Sequence, residues 1–131
     1  MCLERLGKFR LNHLGFGYKW VIKAGNKYFS PNDGSYIYKR KIWNKAIGKK
    51  ELALKDRGFH IFNNKWQALK SLWKNINTSL AAIPEELTDR KVILLEVKYR
   101  SIVSMGYGDG LMRCDSYQII VAKEIKIIKE I

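Results

Sequence analysis

The chain is short of most features that make a purpose easy to read. It has two cysteines, Cys2 and Cys114, in 131 residues. A disulfide between them requires the chain ends to meet in an oxidising compartment, so two unrelated reduced thiols are expected. Its two histidines, His13 and His60, lie far from each other and from the cysteines. No zinc-ligand spacing exists, and neither metal nor cofactor is expected. No apolar run approaches the roughly 20 residues that span a bilayer. Residues Met1–Lys8 lack the apolar segment of a secretory leader. The expectation is a soluble cytoplasmic protein with no membrane association. There is no internal repeat and no low-complexity tract. The glycines of Gly106-Tyr107-Gly108-Asp109-Gly110 would let backbone amides approach a phosphate. They lack the following helix and Lys-Ser/Thr of a phosphate loop, so a plain connection between strands is the simpler reading.

Acidic residues are scarce as well. Lysine and arginine number 25 against 12 acids, a formal charge of +13. Residues 1–50 carry 12 basic residues and two acids, Glu4 and Asp33, whereas residues 101–131 balance at four of each. An AT-rich genome raises Lys, Asn and Ile together, which accounts for abundant lysine but not for its asymmetry. Folding should turn the excess into a face. Such a face fits a polyanionic partner: nucleic acid, a ribonucleoprotein, an acidic protein surface or anionic lipid.

At this length one domain spanning 1–131 is expected, because halves would be too small to bury adequate cores. Leu3, Leu6, Phe9 and His13 recur at roughly helical spacing, predicting a basic arm or short helix over 1–15. Phe16, Tyr18, Trp20 and Ile22 then alternate with Gly17, Lys19, Val21 and Lys23, which is the period of a strand. Ala24-Gly25-Asn26 is a turn, with Lys27–Phe29 returning as a hairpin arm. Ser30–Ser35 is a second turn, and Tyr36–Tyr38 begins another strand. The segment Lys39–Lys50 reads as a short cationic helix or an ordered loop. Phe59–Phe62 is a buried strand feeding the main helix, 64–76. Asn64 caps that helix, and Trp66, Leu69, Leu72, Trp73 and Ile76 form its buried stripe. Pro84 marks a loop with a turn at Pro84–Leu87. Long strands follow at 91–104 and 117–130. The fold class expected is α+β: a curved antiparallel sheet or partly open barrel with one main helix on it.

His60 has two readings, general acid/base or satisfied structural histidine. The second is preferred, because no acidic orienter or nucleophile is fixed near it in sequence. A dyad with Cys114 has no support from spacing, and Glu96, Asp109 and Asp115 are single carboxylates. No catalytic residue is assigned beyond His60 as a doubtful candidate. Binding is better supported. Gly15-Phe16-Gly17-Tyr18 resembles the core of the ribonucleoprotein motif of cold-shock and RNA-recognition domains, where strand aromatics stack on unpaired bases. Leu14 and Lys19 depart from that pattern, the first replacing a basic residue and the second an apolar one. Phe16, Tyr18 and Trp20 are thus either a stacking face or core. Lys39, Arg40, Lys41, Lys45, Lys49 and Lys50 would grip phosphates in either case.

A wider resemblance runs through Met1-Cys2-Leu3, Tyr18-Lys19, Ser30-Pro31, Trp43, Gly58-Phe59-His60-Ile61-Phe62, Ala68, Val92–Val97 and Ala122. In that order the chain resembles small phage and mobile-element accessory proteins. The resemblance implies a shared compact fold and, in a host cytoplasm, a counter-defence role. An anti-CRISPR-like inhibitor binding a host nuclease effector complex would fit. A third class, small ADP-ribosyltransferases, would place His60 and Asp115 in catalytic roles, but its middle motif is missing. The expectation is therefore a non-enzymatic protein whose basic face engages RNA or a ribonucleoprotein. Its oligomeric state is not readable.

Overall fold

The alternation in Phe16–Ala24 forms a nine-residue strand, β2, whose two sides feed different cores. A computed structural model describes residues 2–7, 15–31, 37–46, 57–76, 78, 83–109 and 117–131. Its strands are β1 (Cys2–Leu6), β2 (Phe16–Ala24), β3 (Lys27–Phe29), β4 (Ile37–Tyr38), β5 (Trp43–Lys45), β6 (Phe59–Phe62), β7 (Arg90–Asp109) and β8 (Tyr117–Glu130). One short helix, α1 (Lys65–Lys70), follows β6. The protein is therefore mainly antiparallel β, and the expected α component is minor.

Gly25 and Asn26 both take positive φ, 55° and 65°, between β2 and β3. Two such residues make the hairpin turn whose twist matches the flanking strands. β2 pairs with β7 from Phe16↔Lys98 to Ala24↔Arg90. β7 in turn pairs with β8 from Leu95↔Glu130 to Gly108↔Tyr117. On its other edge β8 holds β6 through residues 119–122 and β5 through 124–126. β6 returns to β2 at the single pair Tyr18↔Phe62. The pairings β2–β7–β8–β6–β2 thus close on themselves.

Inside this ring lie Val21, Ile61, Leu95, Val97, Ile120 and Ile125, with Tyr28, Tyr38, Phe59 and Tyr99. Each aliphatic side chain so buried is worth about 1.5–3 kcal/mol. Trp20, Phe62, Leu94, Ile119 and Val121 point outward and are covered by Ala68 and Trp73. Ile22, Ala24 and Phe29 pack under Ile83 and Leu87, beside the turn closed by Leu87 N–H donating to the Pro84 carbonyl at 3.0 Å.

Several expectations are corrected. Residues 2–6 form a strand rather than a helix, because β1 pairs with the end of β7, Leu3 opposite Gly108 and Leu6 opposite Gly106. A strand edge offered by a distant partner overrides a spacing of three. Gly106 and Gly108 belong to β7, not to a connection. The segment after β4 is neither helix nor loop throughout: it turns at Arg40-Lys41 and enters β5.

The helix ends after six residues, well short of the expected 64–76. Ser71 is extended (φ −68°, ψ 156°), and a 3-10 turn over Leu72–Asn75 follows. The cause lies at one carbonyl. Ala68 O accepts the Trp20 indole N–H at 3.0 Å and the Ser71 hydroxyl at 2.8 Å, so it does not serve a continuing helix. Asn64 does cap the start, accepting from Trp66 N–H at 2.8 Å. Gln67 Oε1 accepts from Gln118 N–H at 2.8 Å and ties α1 to β8. The expected stripe is also broken, because Trp66 is 69% exposed while Ala68 and Trp73 pack on the sheet.

Candidate nucleic-acid interface

The basic turn after β4 owes its shape to Asn44, a buried residue in β5. Its Oδ1 accepts from Lys39 N–H at 2.7 Å, and its Nδ2 donates to the Lys39 carbonyl at 2.9 Å. Lys41 supplies the positive φ of 64° that closes the turn. Lys39 and Lys41 are exposed, and neither has an acidic partner among the described residues. Lys45 is exposed on β5, next along the same surface. Lys49 and Lys50 lie outside the described residues.

Arg40 belongs to a different task. Its guanidinium sits 4.6 Å from the Tyr28 ring centroid and donates to the Asn26 carbonyl at 3.4 Å. The Tyr28 hydroxyl donates to Glu130 at 2.6 Å, and Lys23 reaches the same carboxylate at 2.8 Å. Hydrogen bonds from Lys23 and then Tyr28 hold the Glu130 carboxyl below its ordinary range. Burial, then the bond to Glu130, pushes the Tyr28 hydroxyl up. Arg40 thus straps the basic turn to the β2–β3 hairpin and to the end of β8.

The aromatic trio is divided by the fold. Trp20, 7% exposed, lies under α1 with its indole committed to Ala68, so it is core and offers no stacking surface. Tyr18 is half-buried against the same cluster; burial, then Glu96 opposite it, raises its hydroxyl. Phe16 is half-buried at the start of β2, with the Lys98 ammonium 5.8 Å from its ring centroid.

Register adds residues that spacing along the sequence did not single out. Phe16 lies opposite Lys98, Lys98 opposite Lys126, and Lys126 opposite Trp43. These four residues form one row across β2, β7, β8 and β5, on the face away from the inner core. In the neighbouring row Arg100, Glu124 and Lys45 stand opposite one another. Arg100 donates to Glu124 at 2.9 and 3.1 Å and lies 3.9 Å from the Trp43 ring centroid. The hydrogen bond from Arg100 is the main reason the Glu124 carboxyl sits below its usual range. On the other side, Lys129 reaches Glu96 at 3.8 Å. Lys98 and Lys126 are 28 positions apart in sequence. Only pairing shows that they meet.

Lys19 lies on the face of β2 opposite Phe16, Tyr18 and Trp20. It is 5% exposed inside the ring, where its ammonium donates to the His60 carbonyl at 3.0 Å and lies 5.8 Å from the Tyr38 ring centroid. β2 and β6 part beyond Tyr18↔Phe62, and Lys19 takes a carbonyl that a longer ladder would have satisfied. Burial pulls its pKa down to about 8. His60 itself is half-buried on β6. The partners that sequence offered it, Cys114 and Asp115, lie outside the described residues. No group of three or more His, Cys, Asp or Glu among the described residues is placed to hold a metal ion. No helix among the described residues is long and apolar enough to cross a membrane.

No protein-family model, curated protein or solved structure matches the chain.

Proposed function

We propose that the chain is a non-enzymatic nucleic-acid-binding protein, with RNA as its ligand, that docks through Lys39, Lys41 and Lys45. The observation that carries this reading is the Asn44-pinned turn, which displays Lys39 and Lys41 with no carboxylate beside them among the described residues. The nearby acids are already engaged: Glu130 by Lys23 and Tyr28, and Glu124 by Arg100. A stable fold has no need of lysines held this way, whereas phosphates do. Arg40 and Trp20 leave the set of ligand-contacting residues because the fold uses both.

The test is fluorescence anisotropy of a labelled single-stranded RNA titrated with the full chain. Three phosphates neutralised on a single strand by these lysines contribute about −2 to the slope of log K against log salt. Affinity then falls at least about twentyfold between roughly 50 and 200 mM salt. Lys39→Glu with Lys41→Glu is expected to weaken binding at least tenfold with an unchanged Tm, since both side chains are exposed. Binding that is flat with salt removes the electrostatic mechanism. Capture from cell extract separates RNA from a ribonucleoprotein or inhibitor target. A partner lost on nuclease treatment supports RNA, and a discrete protein that survives it favours the counter-defence reading.

A further inference from the structure

The row Phe16–Lys98–Lys126–Trp43 sets two lysines directly opposite each other with an aromatic residue beyond each. Cross-strand neighbours on one face have Cβ atoms about 4.5–5.5 Å apart, and like charges at such positions destabilise a sheet. The next row places Arg100 opposite Glu124, the arrangement that folding favours. Lys98 and Lys126 have no acidic partner among the described residues, because Glu124 and Glu96 are engaged by Arg100 and Lys129. Across the rows, the acids that Lys45, Lys98, Arg100, Lys126 and Lys129 face among the described residues are Glu96 and Glu124. The fold gains nothing from this opposition; a bound anion relieves it.

The flanking residues narrow the anion. Phe16 and Trp43 are half-buried and share the face of the lysines. The Arg100 guanidinium over the Trp43 ring braces the indole and adds a cation beside it. Aromatic rings interleaved with cations make a platform for unpaired bases, each base having a π face to stack and a phosphate to neutralise. A duplex hides its base faces. The row also continues from the basic turn, since Trp43 and Lys45 both lie on β5.

From this geometry we infer that the ligand is a single strand laid across the sheet from β5 to β2. One phosphate lies between Lys98 and Lys126, with bases against Trp43 and Phe16. The inference rests on the nucleic-acid reading above and specifies the strandedness and path of that ligand.

It is tested with a 12-nucleotide oligo(U) and a 12-base-pair RNA duplex, titrated against the full chain, against Lys98→Gln with Lys126→Gln, and against Lys126→Glu. The wild type is expected to bind oligo(U) at least tenfold more tightly than duplex. The double glutamine variant is expected to lower the salt slope by about 1.4, because two cations no longer displace counterions from the strand. It is also expected to raise Tm, because a repulsion is removed. Lys126→Glu raises Tm further by pairing with Lys98 and weakens oligo(U) binding most. Phe16→Leu reduces the preference for oligo(U) over duplex. An unchanged slope in the double variant, with binding still sensitive to Lys39→Glu and Lys41→Glu, overturns this path and leaves the nucleic-acid reading standing. Equal affinity for duplex, or displacement of oligo(U) by polyglutamate at equal charge, overturns it too. No wild-type binding to either RNA defeats the parent reading instead.

Discussion

A buried ammonium is costly to keep, and Lys19 keeps one with a single carbonyl and a tyrosine face as company. Its pKa of about 8, against 10.5 in an unfolded chain, has burial as its cause. The lowered value fixes the direction of the pH effect. Above pH 10.5 the amine is neutral in both states. Between 10.5 and 8 the unfolded chain binds the proton and the folded chain does not, so stability falls as pH falls. Below 8 both are charged and the full penalty is present. The wild type should therefore gain on Lys19→Met by about 3 kcal/mol as pH rises from 8 to 10.5, read from urea midpoints of the two proteins. A constant gap between them across that range refutes a buried, charged Lys19. The sequence hid this residue well. Lys19 occupies the polar slot of an alternating pattern, and only the parting of β2 and β6 makes that slot an interior one. Asn44 was hidden for the same reason: a polar residue between Trp43 and Lys45 reads as surface, yet it is buried and shapes the basic turn.

Elements marked by their own period or by a turn were legible. The β2–β3 hairpin, the strand Phe59–Phe62, the Asn64 cap and β8 all follow from local period and turn chemistry. The helix length was not, because its stop depends on an indole 48 residues away taking the Ala68 carbonyl. That break separates two tryptophans that a continuous helix would have kept on one stripe. Trp73 is buried, and Trp66 stands in solvent. Trp73→Ala is expected to cost about 3–5 kcal/mol. Trp66→Lys should stay within about 0.5 kcal/mol of wild type, both measured by chemical denaturation. Equal losses at the two positions would mean that Trp66 packs after all. The candidate interface divides along the same line. Its lysines at 39, 41 and 45 lie within one stretch of chain and could be singled out by composition. Lys98, Lys126 and Trp43 become neighbours only through the register of three strands.

Closure of the whole molecule depends on one narrow seam, Tyr18↔Phe62, where β2 meets β6. Gly17 permits the approach: a Cβ there would lie 2.3 Å from Ile61 Cγ2 and 3.0 Å from the Phe62 carbonyl oxygen. Gly17→Ala is expected to destabilise the protein by about 1–3 kcal/mol through overpacking. The loss should be accompanied by faster amide exchange in both β2 and β6. Exchange confined to β6 would show that the seam is not shared. The charge map is also a property of the whole, since acids from β7 and β8 neutralise Lys129, Arg100 and Lys23 while the turn and the Lys98–Lys126 row stay uncompensated among the described residues.

The closed ring has a further consequence, in time rather than in energy. Its pairings are strongly non-local. β1 pairs with the far end of β7, from Cys2↔Asp109, and Lys23 bonds Glu130 across 107 positions of sequence. The β2–β3, β3–β4 and β7–β8 pairs join strands adjacent in sequence, but β2 must wait for β7, and β6 for β8. A chain built this way pays its loop-closure entropy before most of its native pairings exist, and folds in milliseconds to seconds rather than microseconds. On the ribosome, one edge of β2 stays unpaired until β7 has emerged, and one edge of β6 until β8 has. The basic first half of the chain, with its self-repelling lysines, is then also what keeps those waiting edges from finding one another in the wrong molecule.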